Sequence, residues 1–230
     1  MSMNERLLKI ASHIPDGRGT IDVGTDHAYL LLHLAQRSYP GRLVAADINS
    51  GPLDSARRHA AAAGLSDRLE FQLANGLERC DPQAIDCIVI AGMGGDTICG
   101  ILDRAEWCMD PRYLFVLQPM TRAEVLRYWL VNNGFYITEE DLVKDSGTIY
   151  PVICARFGGE DRLSDAEMYT GAYEKIAHLP LCKPFLEEQR RRFEKVCQGL
   201  RRSGREPGRL SMMETVRLQI EEMISHDNGT

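Results

Sequence analysis

The sequence predicts a doubly wound α/β domain followed by a helical hairpin, on three observations. Short apolar runs alternate with helix-forming segments from residue 20 to about residue 132, and repeated βα units build a mostly parallel sheet covered by helices on both faces. Two further apolar runs, 135–143 and 148–157, flank Asp145-Ser146-Gly147, which reads as the turn of an antiparallel hairpin. Beyond Gly158-Gly159-Glu160-Asp161 the composition shifts to helix formers, with apolar residues stepping by three and four.

The elements follow in order. Residues 2–12 read as a helix, with Ser2 and Glu5 fitting a capping box and Leu7, Leu8 and Ile10 on its apolar side. Pro15-Asp16-Gly17 ends it. A short strand spans 20–24 and a helix 28–37, and Pro40-Gly41 makes a turn before a second strand at 42–48. The helix at 52–63 has proline near its first turn and Gly64 at its end. A third strand covers 69–73. The run 85–91 suits a strand buried on both faces. Gly92-Met93-Gly94-Gly95 follows, then a helix at 96–104 and a strand at 113–117. Thr121 opens the next helix, with Glu124 completing a capping box, and Asn133-Gly134 stops it. A terminal hairpin on such a sheet is the usual shape of a class I methyltransferase fold, where a dinucleotide-binding domain would more often add another βα unit. The expected domains are 1–158 and 159–230. In the second, Leu186, Gln189, Phe193, Val196 and Leu200 form one seam and Leu210, Met213, Val216, Ile220 and Met223 another, joined through residues 203–208 as an antiparallel, coiled-coil-like hairpin.

The totals exclude several classes. At 230 residues, 44% hydrophobic and 26% charged, the chain has an ordinary globular composition. No apolar run is long enough for a membrane span, and the polar start is unlike a secretory signal. Seven scattered cysteines form no C-x-x-C pair, so neither a metal site nor a disulfide framework is expected, and reduced thiols in a cytoplasmic protein are. The net charge of −6 divides unevenly: −8 over residues 1–182, +5 over 183–209 and −3 over 210–230. A basic segment on an acidic protein can be a nucleic-acid contact or simply the solvated face of a helix.

Function should sit at the carboxyl ends of the strands. The first strand runs into Asp22-Val23-Gly24-Thr25-Asp26-His27, a tight turn carrying two carboxylates and an imidazole where a phosphate cradle would carry glycines and a lysine. Such a turn repels pyrophosphate and suits a ligand with hydroxyls and positive charge. Asp47 ends the second strand, 23 residues after Gly24, at the offset of a ribose-binding acid. Asn75-Gly76 follows the third strand and can bond an adenine edge, and Ala91 to Gly95 follow the fourth. No G-x-G-x-x-G or P-loop occurs. S-adenosylmethionine, with a ribose, an adenine, a sulfonium and an ammonium group, fits this set. The plainer readings are that Asp22 caps turn amides, that Asp26 is a helix N-cap, that Asp47 is a turn aspartate and that Met93 is packing.

The residues DVGTDHAYLLLHLAQ at 22–36, AADIN and GPLDSARRH within 45–59, NGL at 75–77, VIAGMGGDTI at 89–98, LQPM at 117–120 and the segment 131–153, together with the closing helices, resemble the TrmK family of bacterial tRNA methyltransferases. The resemblance runs over nearly the whole chain. It implies methylation of N1 of adenine 22 in tRNA with S-adenosylmethionine as cofactor, a transfer whose chemistry requires no metal. It places Asp22, Gly24, Thr25, Asp47, Asn75, Gly76, Ala91, Gly92, Met93 and Gly94 around the cofactor, Asp26 and His27 at the reacting base, and Gly95, Gln118 and Pro119 on the substrate side. Thr25, Asn75 and Pro151 depart from the family pattern, where serine, aspartate and glutamate are frequent. Arg190, Arg191, Arg192, Lys195, Arg201 and Arg202, with Lys183, Arg205 and Arg209, would meet the tRNA backbone. The oligomeric state is left open by the sequence, with a monomer favoured. Two other classes stay open: a methyltransferase on a non-RNA substrate, and a non-enzymatic cofactor-binding scaffold.

Overall fold

A computed structural model describes residues 3–227, which form two compact units: residues 3–139 with 143–161, and residues 140–142 with 162–227. The first unit contains a seven-stranded sheet. Its strands are β1 (Thr20–Val23), β2 (Leu43–Asp47), β3 (Glu70–Leu73), β4 (Cys87–Gly94), β5 (Leu114–Thr121), β6 (Phe135–Asp145) and β7 (Thr148–Phe157), in the order β3-β2-β1-β4-β5-β7-β6. The first five are parallel, and β7 runs antiparallel to β5. The central strands are continuous apolar runs because both faces are covered: Cys87, Ile88, Val89 and Ile90 are all fully buried. Burial of each branched side chain is worth about 1.5–3 kcal/mol. Strand order reverses between β1 and β4, so the crevice beyond their carboxyl ends is the expected ligand position.

The helices around the sheet are α1 (Glu5–Ser12), α2 (Tyr29–Gln36), α3 (Ser50–Ala62), α4 (Gly95–Asp103) and α5 (Ala123–Asn132). Ser2, half of the expected capping box, lies outside the described residues. The helix starts at Glu5, and the Asn4 side chain caps it by accepting from the Leu7 N–H. Two other boundaries differ from expectation. The strand expected to end at Ala91 runs on to Gly94, because it keeps pairing with β5 across two register shifts, Met93 with Pro119 and Gly94 with Thr121. Thr121 is consequently the last residue of β5 and does not open a capping box with Glu124. Helix α5 starts directly after Arg122, which is left-handed (φ 56°) and makes no side-chain cap. The hairpin turn is tight: Ser146 and Gly147 both have positive φ (50° and 89°), the primed geometry that matches strand twist.

In the second unit, α6 (Asp165–Thr170) and α7 (Tyr173–Ile176) precede α8 (Cys182–Ser203) and α9 (Pro207–Asp227). Ser164 and Glu167 cap α6 reciprocally. The α8 seam buries Leu186, Gln189, Phe193 and Cys197, so Cys197 takes the place expected of Val196, and α9 answers with Met213, Val216 and Ile220. Alternating charges flank the seam: Arg201 donates to Glu214 at 2.7 Å, and Arg217 lies 3.5 Å from Glu194. No described helix is long and apolar enough to cross a membrane. All seven cysteines are free, six of them buried.

Candidate active site

The turn between β1 and α2 builds the floor of the site. Asp22 is buried at the end of β1, and its Oδ2 accepts the Thr25 hydroxyl at 2.7 Å. Burial pushes its carboxyl up to about 6. The Thr25 hydrogen bond works against that rise, and the neighbouring carboxylates of Asp47 and Asp26 add to it. Gly24 is left-handed (φ 73°), and a Cβ there would strike the Met93 methyl at 1.9 Å. The chain then passes through two consecutive non-glycine residues at positive φ, His27 and Ala28, a conformation that the surroundings must hold in place. Ala28 is the N-terminal cap residue of α2 and offers no side-chain cap. Asp26 is therefore not a helix cap. Its carboxylate is exposed and lies 3.0 Å from His27 Nε2.

A cavity of 350 Å³ opens over this turn, lined by Asp22, Gly24, Asp26, Tyr29, Leu30, Ala91 and Gly92, together with Met3, Asn4, Arg6 and Leu7 from the start of α1. Arg6 brings a cation to an otherwise acidic lining. Its guanidinium donates to Gln118 Oε1 at 2.8 Å and to Asp145 at 3.3 Å, and the Gly92 N–H shares the same Gln118 oxygen at 3.2 Å. Gly92 is left-handed (φ 77°), and a Cβ on it would find only the Arg6 tip at 3.5 Å. A second cavity of 500 Å³ adjoins Met3 and Tyr29 and is lined by Leu8, Leu32, His33, Gln36, His59, Ala62 and Ala63. Tyr29 borders both. Its ring stacks on His59 (centroids 5.3 Å apart), and His27 packs against both rings at 5.5 and 5.3 Å.

The other strand ends supply polar groups. Asp47 accepts the Asn49 N–H on Oδ1 at 2.7 Å, which leaves Oδ2 for a ligand. The Asn75 amide donates to Glu78 at 2.7 Å, so its carbonyl oxygen is the face it can present. Gly76 is a glycine for a packing reason, since a Cβ would lie 2.9 Å from Ile101. The donor set fits S-adenosylmethionine: a buried carboxylate and an arginine for its zwitterionic end, an acid at β2 for the ribose, and an uncrowded glycine wall at Gly92.

Several expected substrate contacts are placed elsewhere. Gly95 is buried at the start of α4, where a Cβ would lie 2.2 Å from the Arg122 carbonyl oxygen. Gln118 is fully buried, holding Arg6 and Gly92, and Pro119 is buried beside it in β5. These three position the walls and do not face solvent. Gly94 is likewise confined, with Thr121 Oγ1 3.2 Å from its would-be Cβ. His27 faces Tyr29 and His59, not the cavity. On α8, Arg201 is held by Glu214, and Arg190 lies 4.0 Å from Glu221. Arg191 is exposed, 4.0 Å from Glu187, and Arg192, Lys195 and Arg202 make no ion pair among the described residues. Arg6, Tyr29 and His59 are not singled out by the sequence. Tyr29 stands inside the DHAYL motif. Arg6 and His59 carry no local signal, because their neighbours at the site come from other elements.

Residues 3–153 match the family model described as a methyltransferase domain. The chain is 31% identical over 165 residues to the tRNA (adenine(22)-N(1))-methyltransferase of Bacillus subtilis (strain 168), covering 72% of this chain and 69% of that protein. Among solved structures, a candidate tRNA (m1A22) methyltransferase of Streptococcus pneumoniae, in complex with S-adenosyl-L-methionine, is 28% identical with a TM-score of 0.83, covering 97% of this chain and 100% of that one. Mycoplasma capricolum TrmK with S-adenosylhomocysteine superposes at a TM-score of 0.79 and 24% identity, covering 99% of each chain, and speaks for the fold. Matched along the methyltransferase domain and to a curated relative over most of that relative's length, the chain belongs to the TrmK family of tRNA (adenine(22)-N1)-methyltransferases.

Proposed function

We propose that this protein transfers a methyl group from S-adenosylmethionine to N1 of adenine 22 in tRNA, with residues 1–158 as the catalytic domain and 159–230 as an RNA-binding domain. The observation that carries the reading is the acidic turn at the end of β1, with Asp22, Asp26 and Arg6 all lining one 350 Å³ cavity. S-adenosylmethionine supplies, when bound, an electrophilic methyl group on a sulfonium. Asp22 receives the ammonium end, and Arg6 the carboxylate. Asp47 accepts from the ribose hydroxyls, and the Asn75 carbonyl accepts from the adenine amino group. The charged form of Asp22 costs on the order of 3 kcal/mol more in the empty site than on an exposed aspartate, at about 1.4 kcal/mol per pH unit. A charge-assisted hydrogen bond returns about 1.5–3 kcal/mol, so a cationic partner nearly offsets that cost.

Adenine N1 attacks with an in-plane lone pair and needs no deprotonation, so the site requires no general base and no metal-activated one. It must place N1 in line and tolerate the cation that forms. Asp26 lies at the cavity mouth for that purpose, oriented by His27 Nε2 at 3.0 Å. The Tyr29 ring, backed by His59, offers a face on which the extruded base can stack. Arg191, Arg192, Lys195 and Arg202 recur at helical spacing and share the outer face of α8, where they meet the RNA backbone. The working unit we propose is a monomer, and a tRNA substrate is the reason to put it in the cytoplasm.

The test is incubation with labelled cofactor and bulk bacterial tRNA, followed by mapping of the modified nucleoside. Label in 1-methyladenosine at position 22 is the expected result. Label in an N6-methylated base, or activity insensitive to ribonuclease, overturns it. Replacing Arg192, Lys195 and Arg202 together by alanine should lower tRNA affinity, with cofactor affinity unchanged. The salt slope of tRNA binding should fall by about one for each phosphate those side chains neutralise.

A further inference from the structure

We propose that His13, Glu139 and Cys154 form a zinc-class metal site that staples the C-terminal end of α1 to the β6–β7 hairpin. His13 is the C-terminal cap residue of α1, Glu139 lies on β6 and Cys154 on β7. The two strands are side by side there, with the Thr138 hydroxyl donating to the Cys154 carbonyl oxygen at 3.2 Å. His13 Nδ1 is 3.3 Å from Glu139 Oε2, and one ligand atom from each of the three side chains lies within 4.8 Å of the other two. Zinc bonds of about 2.0–2.3 Å set ligand atoms about 3.4 Å apart in a tetrahedron, so small side-chain rotations close the site.

The donor set decides the metal. One thiolate, one imidazole and one carboxylate suit zinc and its cobalt substitute, whereas magnesium and calcium want oxygen throughout. The histidine and cysteine side chains are buried while the Glu139 carboxylate is 63% exposed. That edge gives an ion its way in and leaves the fourth position to water. Charge also balances. The Cys154 thiol gives its proton to solvent as the bond to the metal forms, and thiolate plus carboxylate neutralise the divalent ion. The site is apart from the transfer chemistry: the other end of α1, with Met3, Asn4, Arg6 and Leu7, lines the cofactor cavity. A bound ion anchors the far end of the helix that walls that cavity.

The experiment is titration of the chelator-treated full chain with cobalt(II), followed optically, and then with zinc. One equivalent of cobalt should give a thiolate-to-metal charge-transfer band with four-coordinate d–d bands, zinc should displace it, and zinc should raise the melting temperature. Cys154→Ala should abolish the band. Glu139→Gln, on an exposed side chain whose loss leaves the fold intact, should weaken cobalt binding by more than about 10-fold, since even losing a hydrogen bond to a metal ligand costs that much. Absence of the band, its persistence in Cys154→Ala, or unchanged affinity in Glu139→Gln overturns the proposal.

Discussion

The turn after β1 and the glycine-rich end of β4 both border the 350 Å³ cavity, yet they use their residues in opposite ways. The β1 turn devotes its sequence to charge: Asp22 is buried with a raised pKa, Asp26 is exposed, and His27 and Ala28 hold a left-handed backbone. The end of β4 and the start of α4 carry no charged group before Asp96, and their glycines answer mostly to packing. Gly95 makes room for the Arg122 carbonyl and Gly94 for Thr121, while the Met93 methyl fills the space over Gly24. Of these glycines, Gly92 is the one that faces the cavity. A glycine-rich stretch beside a ligand is thus no measure of how many glycines the ligand needs; the backbone approaches decide.

That contrast can be broken at four points. Gly95→Ala should have the largest effect: its Cβ would meet backbone, which cannot step aside, and a loss of more than about 3 kcal/mol of stability is expected in chemical denaturation. Next, Asp26→Ala should lower kcat by about 10²-fold, near 2.7 kcal/mol of barrier, with cofactor Kd changed less than about 3-fold. Equal losses in both would make Asp26 a cofactor ligand. Third, cofactor affinity should rise roughly tenfold between pH 5 and pH 7 as Asp22 ionises near pH 6, and calorimetry on Asp22→Asn should find that dependence gone. The ligand-free protein has the opposite sign. The folded pKa of Asp22 lies above the ordinary aspartate value of 3.8, so the folded state holds the extra proton, and stability falls as pH rises from about 4 to 6. The smallest effect is expected at Gly92→Ala, about 1 kcal/mol of stability for the positive φ, with the cofactor Kd raised because the new methyl enters the cavity.

Much of the first unit is legible in the sequence because its strands are uninterrupted apolar runs between turn residues. The 148–157 strand and the Ser146-Gly147 turn fall where the pattern puts them. Where the reading fails, tertiary pairing outweighs local preference. Pairing with β5 carries β4 through three residues that look like a loop, and β5 itself runs through Thr121, a good cap by type. Helices of six and four residues, α6 and α7, are too short to display a period. Among the candidate site residues, Asp22, Asp26, Asp47 and Asn75 stand out in the sequence because they lie at or just beyond the ends of strands. Arg6, Tyr29 and His59 act through neighbours on other elements, and His13, Glu139 and Cys154 are separated by 126 and 15 positions. Spacing rules see none of these.

The buried thiols also have a practical meaning. Cys87 and Cys108 are pushed up to about 12, and Cys80, the half-buried one, to about 11, in each case chiefly by burial. At pH 7 only about one Cys80 in 10⁴ is a thiolate, the form that reacts. These three thiols should therefore react slowly with maleimides and mild oxidants. A cysteine introduced at Gln198, exposed on the same outer face of α8, would be labelled ahead of those three, and the polarisation of its dye would report RNA docking with every proposed phosphate contact kept.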